Sequence, residues 1–174
     1  KEMCIDFLEK YNPNMNWNYH DYRNSKIQDY LPALEWLTEQ DVLVLRMGKT
    51  MEKPLLHDNK MIIDYAFLDE KSDFLDIWLM ANCYFCISTG TGLDEVTRIF
   101  RKPAVYVNYL PLQQLVTYDY VITTPKHLVW KKTNTRLTLS EYLENSYAHS
   151  NEYENVSIII QDLSAKESTH QPLQ

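Results

Sequence analysis

Phe85-Cys86-Ile87-Ser88-Thr89-Gly90-Thr91-Gly92-Leu93-Asp94-Glu95-Val96 joins an apolar run to a helical pattern through a turn of small residues. The run reads as a buried strand over 84–88, and a helix begins at Leu93. The whole chain has three glycines, Gly48, Gly90 and Gly92, and two of them stand in this turn. A small-residue turn between strand and helix lets backbone amides converge on an anion, with the positive end of the helix dipole behind them. That suits a phosphate or pyrophosphate. A tight turn closing an ordinary strand–helix unit fits the same residues.

The pattern repeats outward from this turn. Downstream, Lys102-Pro103 ends the helix and Ala104–Val107 makes the next strand. Another strand follows at 120–123, then a helix opened by Ser140 and reaching Asn145, and a strand at 156–160. Upstream, Ser72-Asp73 caps a helix through Asn82, and Met61–Tyr65 and Val42–Leu45 are strand candidates. A helix capped by Asn24 or Ser25 runs to Gln40, with Pro32 as a kink or a break. Residues 1–23 read as irregular after a short helical piece at Ile5–Lys10. The polar end, 164–174, reads as disordered, which leaves 24–163 as the folded domain. Strands alternating with helices predict right-handed crossovers and an α/β fold, a parallel sheet with helices on both faces. Ligands of such sheets bind beyond the carboxyl ends of the strands, near the point where strand order reverses. Three of those ends carry small or polar residues: Arg46-Met47-Gly48, Ser88 to Gly92, and Asn108-Tyr109.

The 174 residues suffice for one domain with a core. A net charge of -7 argues against nucleic acid as a partner. No run of 18 apolar residues is present, so the sequence predicts no membrane-spanning helix. Lys1 stands where an initiating Met is expected, which reads as a processed, trimmed or fragmentary start. Three cysteines without framework spacing suggest a reducing, cytoplasmic compartment. Cys83-Tyr84-Phe85-Cys86 matches C-x-x-C, but it leads into a strand and no second pair or His pair completes a metal site. Both cysteines read as small core residues, and no metal is expected.

Arg23 and Arg46 are candidate anion ligands. An arginine at a helix start opposes the dipole unless an anion shares the site, and guanidinium binds phosphate bidentately. An ion pair with a nearby carboxylate is the alternative for each. His20 beside Asp21 is a candidate general base, with a surface or capping role as the alternative. Asp94 and Glu95 suit the first turn of the helix after Gly92, where Thr91-x-x-Asp94 resembles a capping box. A hydrogen bond accepted by one of them, Glu95 being the candidate, from a ribose hydroxyl is the other reading. The turn lacks the third glycine of G-x-G-x-x-G and the Lys of a P-loop, and no G-x-S-x-G is present. Dehydrogenase, NTPase and α/β-hydrolase readings therefore fail.

In order, the chain carries His20-Asp21-Tyr22-Arg23-Asn24-Ser25, Arg46-Met47-Gly48, Lys71-Ser72-Asp73-Phe74-Leu75-Asp76-Ile77, Ala81-Asn82-Cys83, Ser88-Thr89-Gly90-Thr91-Gly92 and Val107-Asn108-Tyr109-Leu110-Pro111. Over roughly residues 7–125 this resembles a family of bacterial glycosyltransferases found with surface-polysaccharide genes. More distantly, Ser88–Gly92 with Lys102-Pro103-Ala104-Val105 is similar to the donor half of heptosyltransferase-like enzymes. The resemblance implies the Rossmann-like C-terminal half of a GT-B glycosyltransferase, which holds a nucleotide sugar and usually needs no metal. It implies a nucleoside diphosphate sugar as substrate, a glycan acceptor, and a cytoplasmic place at the inner face of a membrane. Thr89, Gly90, Thr91 and Gly92 would hold the diphosphate, and Arg23 would neutralise the leaving group. Arg46 and Gly48 would border the nucleotide, with Asn108 and Tyr109 near base or sugar. The resemblance implies that this chain corresponds to the donor-binding part alone and would lack the N-terminal half of such enzymes, with most of the acceptor site. A nucleotide-sugar epimerase is an enzymatic alternative. A nucleotide-binding or assembly module without turnover is the non-enzymatic one.

Overall fold

A computed structural model describes Tyr22, residues 25–49, 51, 53–90 and 92–169. The expectations for 1–21, Arg23, Asn24, Thr91 and 170–174 lie outside the described residues. The first helical segment is a 3₁₀ turn, Ile27–Tyr30, running into α1, Leu31–Glu39. Pro32 falls in the first turn of α1, where a backbone N–H has no helical partner to lose. The single helix expected to Gln40 is thus two pieces with the proline at the join. Strands β1 (Val44–Leu45) and β2 (Ile62–Ile63) pair in parallel, both shorter than the apolar runs suggested. Helix α2, Asp73–Asn82, starts at Ser72, whose side chain accepts from the Leu75 amide.

Strand β3 (Cys86–Ser88), helix α3 (Asp94–Ile99) and strand β4 (Ala104–Tyr109) follow the pattern of the glycine-turn stretch. Strand β5, Val121–Pro125, completes a parallel sheet in the order β3-β4-β5. β4 is central and almost wholly buried, and it runs two residues past the expected Val107. The fold is therefore mixed α/β, with parallel strands in two sheets.

The remainder is antiparallel. Strands β6 (His127–Trp130) and β7 (Thr135–Arg136) form a hairpin, and β8 (Ile158–Gln161) pairs on the other side of β6. The sequence reading passed over this hairpin, although Asn134 sits at φ 53 in its turn, a conformation asparagine tolerates. Helix α4 (Leu139–Glu144) is closed by a capping box between Thr138 and Glu141. Helix α5, Ser150–Asn155, had no counterpart in the sequence reading. Helix α6, Ala165–Thr169, stands where the polar composition suggested disorder. Its cause is local: Ser164 Oγ donates to Glu167 Oε2 at 2.7 Å, and the Glu167 amide donates back to Ser164 Oγ at 3.3 Å.

Beside a smaller cluster of Ala104, Tyr106 and Tyr109 with Val116 and Val121 against it, two larger clusters organise the core. Tyr30 and Leu34 pack with Leu55, Ile62, Val107 and Leu163, so the 3₁₀ turn, α1 and the C-terminal segment cover both parallel sheets. Tyr22, Leu110, Leu128, Tyr153 and Ile158 form the other, beneath the antiparallel sheet. Helix α2 is less covered and leaves Phe74, Ile77 and Trp78 exposed. Among the described residues no helix is long and apolar enough to cross a membrane.

Candidate functional site

The glycine turn is tied at its base. Ser88, the last residue of β3, donates through Oγ to Asp94 Oδ2 at 2.5 Å and accepts from the Gly90 amide at 3.2 Å. Asp94 is buried, and Thr97 Oγ1 donates to its carbonyl at 2.6 Å. Asp94 thus reaches back to the strand as a staple across the turn. Helix α3 has six residues, less than two turns. Its N-cap, Leu93, supplies no side-chain hydrogen bond.

The two glycines differ. Gly90 has φ +86, and a Cβ there would stand 2.7 Å from Cε2 of Tyr109. Both the backbone and the neighbouring ring demand glycine. Gly92 has no positive φ, and a Cβ there would meet nothing within 4 Å. Among the described residues no contact accounts for glycine at 92, and the space over it is open to a ligand.

Arg46 forms the ion pair that was one of its two readings. Its Nη1 donates to Asp64 Oδ2 at 3.0 Å and to the Lys53 carbonyl at 2.9 Å, with the guanidinium 5.6 Å from the Phe67 ring centre. Asp64 Oδ2 also accepts from the Leu55 amide at 2.8 Å. This knot closes the long connection between β1 and β2. Gly48 is buried beside it, and a Cβ there would run into the thioether methyl of Met51. Asn108 is likewise engaged inside the protein. It sits at φ 57 where the β4–β5 register shifts, donating from Nδ2 to the Tyr30 hydroxyl at 2.9 Å. Its Oδ1 accepts from the Leu163 amide at 2.7 Å.

Residues of β1 and β3 line one cavity of about 450 Å³. Arg46-Met47 and Ser88-Thr89 mark its strand-end side, and Tyr30, Leu34 and Met80 bring in apolar wall from the helical elements. The structure therefore brings Arg46, Ser88 and Thr89 to a common space. Asn108 does not line it. A second pocket of about 190 Å³ opens between Gly90 and Gly92 and the side of Tyr106, Tyr109, Gln114 and Val116. Asp94 borders both spaces. Glu95 lines the smaller pocket and is paired with Arg98. Sequence reasoning missed Tyr106, Gln114 and Val116: the pairing of β4 with β3 brings Tyr106 beside the turn, and the β4–β5 crossover folds Gln114 and Val116 against it.

Cys83 and Cys86 are free thiols on the wall of the larger cavity. Burial pushes the Cys86 thiol up to about 12, with the Asp94 charge adding to it, so it stays protonated. Burial likewise raises the Tyr106 phenol, reinforced by Asp94 and Glu95. Among the described residues no group of three or more His, Cys, Asp or Glu side chains is placed to hold a metal ion. Arg23, His20 and Thr91 lie outside the described residues. No protein-family model, no curated protein and no solved structure matches this chain.

Proposed function

We propose that the chain binds a nucleotide sugar and serves as the donor half of a GT-B-type glycosyltransferase. The observation that carries this reading is the single cavity shared by the carboxyl ends of β1 and β3. The parallel pairings β2-β1 and β3-β4-β5 meet there. Parallel sheets take their nucleotides beyond the carboxyl ends of their strands, which is the side that Arg46-Met47 and Ser88-Thr89 mark. The backbone of Ser88–Gly90 and Gly92 cradles the diphosphate, and open space over Gly92 lets phosphate oxygens approach it closely. The engagement of Arg46 with Asp64 leaves neutralisation of the departing nucleoside diphosphate to Arg23, with His20 as the candidate base. On this reading an acceptor glycan is held by a partner half of the cleft, and a cytoplasmic place at a membrane's inner face is part of the same proposal.

Calorimetric titration of the full chain with UDP, GDP, dTDP and CMP tests this, repeated on Gly92→Val and Arg23→Ala. Saturable binding of one nucleotide, weakened by both substitutions, supports the donor reading and names its class. A folded chain that binds none of the four overturns it.

A further inference from the structure

The two spaces at the glycine turn differ in size and chemistry, and Asp94 lines both. The larger is walled mainly by apolar side chains, among them Leu34, Leu37, Val44 and Ile87. The smaller has less than half that volume and is lined by two phenols, an amide side chain and two carboxylates. Ser88 and Thr89 face the first, Gly90 and Gly92 face the second, and Asp94 borders both. A nucleoside is bulkier than a hexose and presents a flat ring. A hexose presents hydroxyls that need donors and acceptors in alternation, and a C–H face that lies well on an aromatic ring.

We propose that the pocket between Gly92 and Tyr106 is a hexose subsite, with a nucleotide sugar lying across the 88–92 turn, its nucleoside in the apolar cavity. This inference rests on the nucleotide reading above and adds the direction in which the donor lies. Tyr106 is buried with its phenol protonated, so it can donate to a sugar oxygen. Asp94 and Glu95 can accept from sugar hydroxyls in addition to their bonds from Ser88 and Arg98, since a carboxylate has about four acceptor positions. The Tyr106 and Tyr109 rings lie 5.3 Å apart at 60°, forming an aromatic wall. Val116 closes the pocket without a polar atom, so a larger side chain there fills it and leaves the turn's charges intact.

The test titrates the full chain and its Val116→Phe and Tyr106→Phe variants with UDP, GDP, dTDP and their hexose conjugates, each ligand compared with itself. Circular dichroism checks folding, and Gln114→Ala, at an exposed position, stands in for a variant that fails to fold. The expected result is a hexose conjugate weakened about tenfold in the variants while its bare diphosphate changes by less than about twofold. Equal weakening of both ligands, or of neither, overturns the subsite while the nucleotide reading stands. No diphosphate binding by the unsubstituted chain overturns both.

Discussion

Arg46 and Asp64 show how a charge can serve the fold beside a cavity without facing a ligand. The Arg46 side chain is 5% exposed and that of Asp64 14%. Removing one partner leaves the other buried and uncompensated, so Asp64→Ala should destabilise the chain by roughly 3–5 kcal/mol. Urea denaturation reads this directly, and an unchanged midpoint would mean the knot is dispensable. The glycines offer a sharper contrast. Gly90→Ala meets a left-handed φ and the Tyr109 ring, and should cost about 1–3 kcal/mol. Gly92→Ala should fall within about 0.5 kcal/mol, because its Cβ enters open space. If both substitutions cost the same, the distinction between a folding glycine and a ligand glycine fails.

Helix caps govern the C-terminal third, and one of them titrates. Glu167 accepts from Ser164 Oγ, the Ser164 amide, His127 Nε2 and Arg136 Nη2. These bonds, the Ser164 ones foremost, hold its carboxyl down at about 2 against the ordinary 4.5. A depressed folded-state value stabilises the ionised protein above pH 4.5, and that contribution drains away as pH falls towards 2. Glu167→Gln should therefore be less stable than the parent at pH 7, and the two denaturation midpoints should converge near pH 2. A gap that persists there would point to packing instead. Thr138→Ala, which breaks the cap of α4, should cost about 1 kcal/mol in the same assay. At this scale the sequence was readable where apolar period and cap coincided, as at Ser72 before α2, and where an apolar run met a small-residue turn, as at Phe85–Val96. The helix at 165–169 was equally written in Ser164-x-x-Glu167, but polar composition outweighed a local signal. The β6–β7 hairpin was hidden because Pro125 and Lys126 break the apolar run just before it. The burial of Lys126 against Asp162 at 2.5 Å is a long-range pairing that composition does not announce.

Across the whole molecule, the candidate site depends on where separate strands end. Arg46, Ser88 and Thr89 could be placed at strand ends from sequence, and they do share a cavity. The inward commitment of Asn108 could not be read, because its partners Tyr30 and Leu163 lie 78 and 55 residues away. A cognate nucleotide at one hundred times its Kd should add about 2.7 kcal/mol of stability, seen as a rise in Tm; no rise at that excess removes the cavity from consideration. The Asn108 side chain also determines how short a working chain can be. A chain ended at Gln161 keeps all eight strands yet strips Leu163 from the core and the amide from Asn108 Oδ1. Its neighbour Tyr30, on the wall of the cavity, then loses the anchor that orients it. Carboxypeptidase trimming should accordingly stall at helix α6 in the native protein, and a chain shortened past Leu163 should lose ligand binding while its strands persist.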